Sequence, residues 1–78
     1  MRLKILSLKG VEYDGEAQGL NVKTGAGEIT VLDHHLPLIA DLKKGKAVIF
    51  LEGGKKEIEV GGGFLEVDRS NKATLLID

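Results

Sequence analysis

The sequence has 78 residues, which is enough for one small domain and too few for two. Hydrophobic residues make up 42% and charged residues 29%, proportions found in folded domains rather than in disordered chains. The net charge of −1 lacks the basic excess of nucleic-acid-binding proteins, and the absence of cysteine excludes disulfides, thiol catalysis and zinc–thiolate sites.

Short β-strands are predicted along the chain, because glycines separate short apolar segments and no window sustains helical spacing. Leu3 and Ile5 alternate with charged neighbours, which is the spacing of a strand. Leu6 and Leu8 continue in the opposite parity, which indicates a β-bulge or a strand buried on both faces. Further extended segments are predicted at Val11–Tyr13, Leu20–Val22, Ile29–Leu32, Ala47–Leu51, Ile58–Val60, Phe64–Val67 and Ala73–Ile77.

The stretch Asp33–Ile39 is predicted to be a loop that crosses between two sheets, followed by a short link, Ala40–Leu42. Pro37 cannot occupy a central strand. His34 and His35 are adjacent, and neighbouring side chains of an extended segment point to opposite faces, so the pair does not predict a metal site. The lysines of residues 43–46 are typical of a solvated loop rather than of a membrane or nucleic-acid patch.

The clearest turn is Gly53-Gly54, which predicts a two-residue β-hairpin. The predicted register pairs residues on one apolar face: Ile49 with Ile58 and Ala47 with Val60. The opposite face carries Val48 and Phe50 among glutamates. These two side chains are either covered by another part of the chain or available to a partner.

The glycines at 61–63 precede a strand and lack the Lys-Ser/Thr and helix of a phosphate-binding loop. They predict instead a bend or bulge where two strands approach closely. The chain has two serines, Ser7 and Ser70, and no Gly-x-Ser-x-Gly turn, so no catalytic residue, metal site or cofactor is predicted.

The fold predicted from this punctuation is all-β, because turns recur about every 8 to 12 residues, as in sandwiches and barrels. We expect a small antiparallel β-sandwich of about eight to ten short strands, built as a single domain over residues 1–78. The longest apolar run, Ala47–Leu51, has five residues, whereas a transmembrane helix needs about 20. The charged, alternating N-terminus does not resemble a signal peptide, so a cytosolic location is expected, alone or on a larger assembly.

Three stretches follow one another with a characteristic spacing: Gly27–Leu32 followed by His35 and Pro37-Leu38, then Leu42–Gly45, then Val60–Val67 closing with Asn71–Asp78. Together they resemble the N-terminal β-sandwich domain of the epsilon subunit of the F-type ATP synthase. Members of that family show a glycine–acid–aliphatic run, then His-x-Pro-Leu, Leu-x-x-Gly, a Gly-Gly-Phe-x-Glu-Val strand and a closing Asn-x-x-Thr strand. The resemblance covers the whole chain in order.

The sequence departs from the family pattern at three places. The family usually has Pro-Gly where this chain has Asp33-His34, and a small residue where it has Leu36. Most members also continue into a pair of C-terminal helices, which in bacteria inhibits ATP hydrolysis. The sequence ends at Asp78, so this inhibitory activity is expected to be absent.

The resemblance implies a non-catalytic subunit in the central stalk, the rotor, of a proton-translocating ATP synthase. In the family this domain contacts the gamma subunit and the cytoplasmic loops of the membrane c-ring, and it couples ion flow to ATP synthesis. The expected location is the cytoplasmic face of the cell membrane, with no cofactor and no nucleic acid bound.

The resemblance places His35, Leu38 and Ser7 at the gamma-subunit contact and Glu28 on the turn that faces the c-ring loops. Three of them also have a simpler interpretation: His35 as a loop histidine bonded to backbone, Leu38 as a core leucine and Glu28 as a solvated acid.

Independently of the family, Val48 and Phe50 are predicted to extend the gamma contact as an apolar patch. Two other classes of function remain open. A free-standing β-sandwich module for a peptide or small ligand would ignore the gamma subunit, and a small enzyme would need a polar pocket with convergent groups.

Overall fold

The computed structural model describes all 78 residues and consists of strands and turns. The nine strands are β1 (Arg2–Ser7), β2 (Gly10–Glu16), β3 (Gly19–Thr24), β4 (Gly27–Leu32), β5 (Leu38–Leu42), β6 (Gly45–Leu51), β7 (Gly54–Val60), β8 (Gly63–Val67) and β9 (Lys72–Ile77). No helix long and apolar enough to cross a bilayer is present.

One sheet contains all nine strands and curls into two layers. Its order is β2-β1-β9-β8-β5-β3-β6-β7, with β4 paired to the other side of β3. Strands β5 and β3 meet at a single pair, Thr24 with Leu42, so the sheet folds over at this point. We call β2-β1-β9-β8-β5 the first layer and β4-β3-β6-β7 the second layer. The all-β sandwich expected from the sequence is confirmed, with one parallel pair, β1 with β9.

The core lies between the layers and follows the period-two alternation of the strands. Leu3 and Ile5 of β1 are fully buried, as are Leu65 of β8 and Leu75 of β9. Burying one such side chain contributes about 1.5–3 kcal/mol to folding. The sixteen buried hydrophobic residues form a single cluster. The predicted change of parity after Ile5 is also confirmed, because the pairing of β1 with β2 shifts between residues 5 and 6.

The β6–β7 hairpin has the predicted faces but a different register. Leu51 pairs with Gly54, and Ala47 pairs with Ile58 rather than with Val60. The turn is therefore Glu52-Gly53, not Gly53-Gly54. Of its two central residues, only the second has a positive φ, 82° at Gly53, and a type II turn needs glycine only there. The partner of Ala47 is thus shifted by two residues. Because side chains alternate with a period of two, each residue still lies on the predicted face.

Residues 38–42 form a regular strand, β5, instead of the predicted end of a loop and link. Strand β5 pairs with β8 along its whole length, from Leu38–Val67 to Leu42–Gly63. Pro37 lies directly before the strand, where its missing N–H removes no bond from the sheet. The predicted loop is thus confined to residues 33–37.

Candidate functional site

The strand pairing gathers the loops at two ends of the molecule. One end, which we call the Asp33 end, carries Met1 and the loops at residues 17–18, 33–37, 52–53 and 68–71. The opposite end, the Asp78 end, carries the loops at residues 8–9, 25–26, 43–44 and 61–62.

An apolar row crosses the outer face of the first layer. Val11 pairs with Leu6, Leu6 with Leu76, and Leu76 with Phe64, on four neighbouring strands. Val11 is 60% exposed, Leu76 53% and Phe64 60%, and Ile39 on β5 is exposed beside them. Single exposed hydrophobic residues are ordinary, whereas a contiguous apolar patch marks an interaction surface. We call these five residues the apolar row.

A shallow groove leads from the apolar row to the Asp33 end. Its first part is a concavity of about 260 Å³ whose lining includes Ile39, Phe64 and Leu76. The next, of about 500 Å³, continues along β5 and β8 to Pro37 and Arg69. The last lies in the loops and has a volume of about 420 Å³. We call this last part the loop cleft; it is lined by His34, His35, Leu36, Pro37, Arg69 and Asn71.

The walls of the loop cleft are held by two residues in the left-handed region of backbone conformation. His34 has a φ of 61° and Asn71 a φ of 59°. The His34 backbone N–H donates to Asn71 Oδ1 at 2.7 Å. The His35 N–H donates to the Leu32 carbonyl at 3.1 Å, which closes a turn with His34 at its third position. A type II turn requires a positive φ at this position, and His34 supplies it.

The N-terminal ammonium group holds the same turn through Asp33. The Met1 ammonium is buried, donates to the Ala17 carbonyl at 2.8 Å, and forms a short ion pair with the Asp33 carboxylate. Asn71 Nδ2 also donates to Asp33 at 3.4 Å. The hydrogen bond from the ammonium lowers the pKa of Asp33, with smaller contributions from Asn71 and the charge of His34.

The two histidines lie on one cleft, contrary to the reasoning from an extended segment. Because residues 33–34 turn, His34 and His35 both line the loop cleft. The premise that the two histidines lie in an extended segment is wrong. No group of three or more histidine, cysteine or acidic side chains is arranged to hold a metal ion. His35 Nδ1 instead lies 2.7 Å from the Leu36 carbonyl oxygen.

Ser7 and His35 lie at opposite ends of the first layer, with the apolar row between them. Ser7 ends β1 at the Asp78 end, where its hydroxyl donates to Glu12 at 3.0 Å. Leu38 lies at the start of β5, half-buried, and packs against the core. Contact of these three residues with a gamma subunit stays a prediction.

Val48 and Phe50 lie on the outer face of the second layer, away from the apolar row. Phe50 and Leu32 are on the two strands that flank Gly19, and atoms of both side chains lie within about 3.3 Å of where a Gly19 Cβ would be. The side chains of Phe50 and Leu32 therefore both lie over Gly19. Val48 is half-buried. No single flat contact includes both this surface and the apolar row.

Glu28 lies near the Asp78 end, on the second residue of β4 rather than in the turn itself. Its carboxylate is 3.8 Å from Lys23 Nζ and accepts from Asn21 Nδ2 at 3.3 Å. The side chain is exposed and remains accessible to a partner.

The glycines at 61–63 mark a close approach of strands, as predicted. A Cβ on Gly63 would lie 1.9 Å from the Leu76 carbonyl oxygen, and Gly63 has a φ of 140°. The Asp78 N–H donates to the Gly62 carbonyl at 3.1 Å, which ties the end of β9 to this bend.

The sequence reasoning did not identify the apolar row. Its residues were assigned to strands. Their exposure could have been predicted from the alternation of inward and outward side chains along each strand. Leu76 lies between Leu75 and Ile77, both buried, and Phe64 precedes the buried Leu65. Pairing of β1 with β9 then brings these outward positions together, and that pairing joins the two ends of the chain.

Comparison with known proteins identifies relatives along the whole chain. The profile of the family described as "ATP synthase, Delta/Epsilon chain, beta-sandwich domain" matches residues 1–78. The ATP synthase epsilon chain of Endomicrobium trichonymphae is 38% identical over 69 residues, which are 88% of this chain and 50% of that protein. That of Brevibacillus brevis is 34% identical over 79 residues, which are 100% of this chain and 59% of the relative. The chain thus spans a little over half the length of these relatives.

Two solved structures have the same fold. A chain of the Euglena gracilis mitochondrial ATP synthase, described as OSCP/F1/c-ring, superposes with a TM-score of 0.92 at 23% identity, covering 99% of this chain and 49% of that one. A chain of the Tetrahymena thermophila mitochondrial ATP synthase, described as central stalk/c-ring, gives 0.86 at 12% identity, with 99% and 62% covered.

Proposed function

The chain belongs to the family of ATP synthase delta/epsilon β-sandwich domains, and from that premise we propose that it is a non-catalytic rotor component. In this role it attaches the gamma subunit to the c-ring of a proton-translocating ATP synthase, at the cytoplasmic face of the cell membrane. It couples ion flow to ATP synthesis by transmitting torque, while nucleotide chemistry takes place on other subunits.

The apolar row is the observation that carries this proposal. It is a contiguous apolar strip on a sheet whose backbone is held on both sides by hydrogen bonds to neighbouring strands. An open face of this kind suits a partner that lies along it rather than a small ligand, which needs an enclosed pocket. We therefore place the gamma subunit on the outer face of the first layer, between Ser7 and His35.

The Asp78 end is then the part directed to the c-ring. Glu28 is exposed there, and its carboxylate can exchange its 3.8 Å contact with Lys23 for a basic or polar group of a c-ring loop. The sandwich between the two contacts is densely packed around one core, which gives the stiffness that torque transmission requires.

Two phenylalanines provide a matched test of which face binds. Phe64 lies in the apolar row and Phe50 on the outer face of the second layer. Binding of the purified chain to the gamma subunit of its own organism would be measured by calorimetry for the wild type, Phe64→Glu and Phe50→Glu. Circular dichroism would establish that each variant is folded.

We expect wild-type binding, loss of at least tenfold in affinity for Phe64→Glu, and little change for Phe50→Glu. The reverse pattern would move the gamma contact to Val48 and Phe50 and refute the docking face proposed above. A folded wild type that does not bind the gamma subunit would refute the rotor role and favour a free-standing binding module.

A further inference from the structure

We propose that Leu36 is an apolar anchor for the gamma subunit at the Asp33 end, and that Asn71 is the positioning residue that holds the Leu36 loop in its binding geometry. The inference rests on the proposed function and deepens it, because it assigns a contact at the end of the docking face that the apolar row does not reach. The occupant is an apolar surface of the docked gamma subunit.

The first ground is the exposure of Leu36. Its side chain is 78% exposed, although it lines the loop cleft. An exposed leucine has little contact with its own chain, so most of its apolar area is available to a partner. Burial of apolar area is the main favourable contribution to most protein association.

The second ground is the constrained backbone around Leu36, because exposure alone is ordinary for a single leucine. Before it, the His35 N–H donates to the Leu32 carbonyl at 3.1 Å, and His35 Nδ1 lies 2.7 Å from the Leu36 carbonyl oxygen. After it, Pro37 has a fixed φ and leads directly into β5. A side chain on such a backbone loses little freedom on binding, which suits an anchor.

The third ground is that Asn71 joins the loop at residues 33–37 to the start of β1. Its Oδ1 accepts the His34 N–H at 2.7 Å, and its Nδ2 donates to the Asp33 carboxylate at 3.4 Å. Its backbone carbonyl accepts the Arg2 N–H at 3.1 Å. The amide of Asn71 therefore holds the turn that immediately precedes the constrained segment.

The fourth ground is the continuity of the groove. The loop cleft, which Leu36 lines, shares Pro37 and Arg69 with the neighbouring concavity. That concavity shares Ile39 and Glu66 with the part beside the apolar row. A partner that covers the apolar row and follows the groove therefore reaches Leu36.

Charged and titratable side chains of both signs lie in or beside this groove. They are Asp33, His34, Glu66, Asp68 and Arg69. Because they do not favour a partner of one sign, we assign recognition at this end to the apolar area of Leu36. The charged groups then form the polar rim that surrounds the apolar centre of a typical interface.

The test measures the affinity of the chain for the gamma subunit of its own organism by calorimetry, for the wild type and four variants. Leu36→Ala removes the anchor, and Asn71→Gly removes both side-chain bonds while suiting the φ of 59°. The third variant combines these two changes. Leu32→Ala is the matched control, since Leu32 is also exposed but lies over Gly19 on the outer face of the second layer.

Leu36→Ala is expected to weaken binding by about ten- to fiftyfold, the range for removing two to three buried methylene-sized groups. Leu32→Ala should match the wild type. Asn71→Gly should weaken binding by about three- to tenfold, because a freed loop must be ordered on binding. In the Leu36→Ala background, Asn71→Gly should change the affinity by less than about twofold, since the loop then has no anchor to position.

Hydrogen exchange of the free protein reports the positioning without the gamma subunit. The His34 backbone N–H should exchange about tenfold faster or more in Asn71→Gly, while the amides of β8 and β9 keep their protection. Leu36→Ala should leave the exchange of this N–H unchanged.

Wild-type affinity in Leu36→Ala, or an equal loss in Leu32→Ala, would overturn the anchor and leave the rotor role intact. Additive losses in the double variant, or unchanged exchange of the His34 N–H in Asn71→Gly, would overturn the positioning role. No binding by the wild type would instead refute the proposed function itself. The failures are thus distinguishable.

Discussion

Replacing Gly63 by alanine tests the close approach of β8 and β9 that organises the docking face. The added Cβ would lie 1.9 Å from the Leu76 carbonyl oxygen, and the backbone has a φ of 140°, a conformation that side chains rarely adopt. The backbone strain costs about 1–3 kcal/mol and the overlap about another 1–3 kcal/mol. The total stability of a domain of this length is about 4–12 kcal/mol, so at the middle of both ranges Gly63→Ala should remove about half of it.

The free energy of unfolding would be measured by urea denaturation. Two glycines of the β6–β7 hairpin provide controls. Gly53 has a φ of 82° and nothing within 4 Å of an added Cβ, so Gly53→Ala reports backbone strain alone. Gly54 has open space and no positive φ, so Gly54→Ala should stay within about 0.5 kcal/mol of the wild type. The urea midpoint is expected to be highest for Gly54→Ala, lower for Gly53→Ala and lowest for Gly63→Ala. If Gly63→Ala unfolds together with Gly53→Ala, the steric contact contributes nothing and the close-approach interpretation fails.

Three further outcomes are expected. Leu65→Ala should lower the free energy of unfolding by about 2–5 kcal/mol and Leu8→Ala, at an exposed turn, by less than about 0.5 kcal/mol; similar urea midpoints would contradict the position of the core. The ammonium of Met1 lowers the pKa of Asp33, so the stability from this pair is present above the unfolded-state value of about 3.9 and lost as the pH falls. Thermal midpoints between about pH 5 and pH 2 should therefore fall less steeply for Asp33→Asn, and parallel curves would disprove the linkage. Glu28→Gln should weaken co-sedimentation with c-rings and leave gamma binding unchanged; unaltered sedimentation would remove Glu28 from the c-ring contact.

The strands and their faces could be predicted from the sequence because both follow from local alternation. Ile5 is buried, and the register of β1 with β2 shifts at the next residue, as the predicted bulge requires. The register of the β6–β7 hairpin could not be predicted, because two consecutive glycines offer two turns and the choice depends on a single φ value, at Gly53. Strand β5 was missed since Pro37 signals irregular structure, while the pairing that makes the next five residues a strand comes from β8, more than twenty residues later.

The candidate site was less predictable, since it depends on which distant residues become neighbours. Leu6, Leu76 and Phe64 each have an unremarkable place in a strand, and only the parallel pairing of the first and last strands makes them one row. His34 illustrates the same limit in a loop. Its adjacency to His35 was visible, but the turn that brings both residues to one cleft has a positive φ at His34 and a hydrogen bond from the His34 N–H to Asn71, near the other end of the chain.

The two outer faces of the sandwich differ in what a partner could gain from them. On the second layer, the Lys23–Glu28 and Lys46–Glu57 pairs at 3.8 Å engage the charged groups with one another, so docking there would exchange existing contacts for new ones. The outer face of the first layer also has an ion pair, Arg2–Asp14 at 2.6 Å, but the side chains of the apolar row itself form no ion pair that docking would have to exchange.

The apolar row is nevertheless too small to bind the partner alone. Each of its half-exposed side chains would contribute about 1 kcal/mol on burial, about 4–5 kcal/mol for the row. Association costs at least about 4 kcal/mol in lost freedom of motion, so the row by itself would give weak attachment. A rotor that transmits torque needs more than this, and the additional contacts must come from the two ends of the same face.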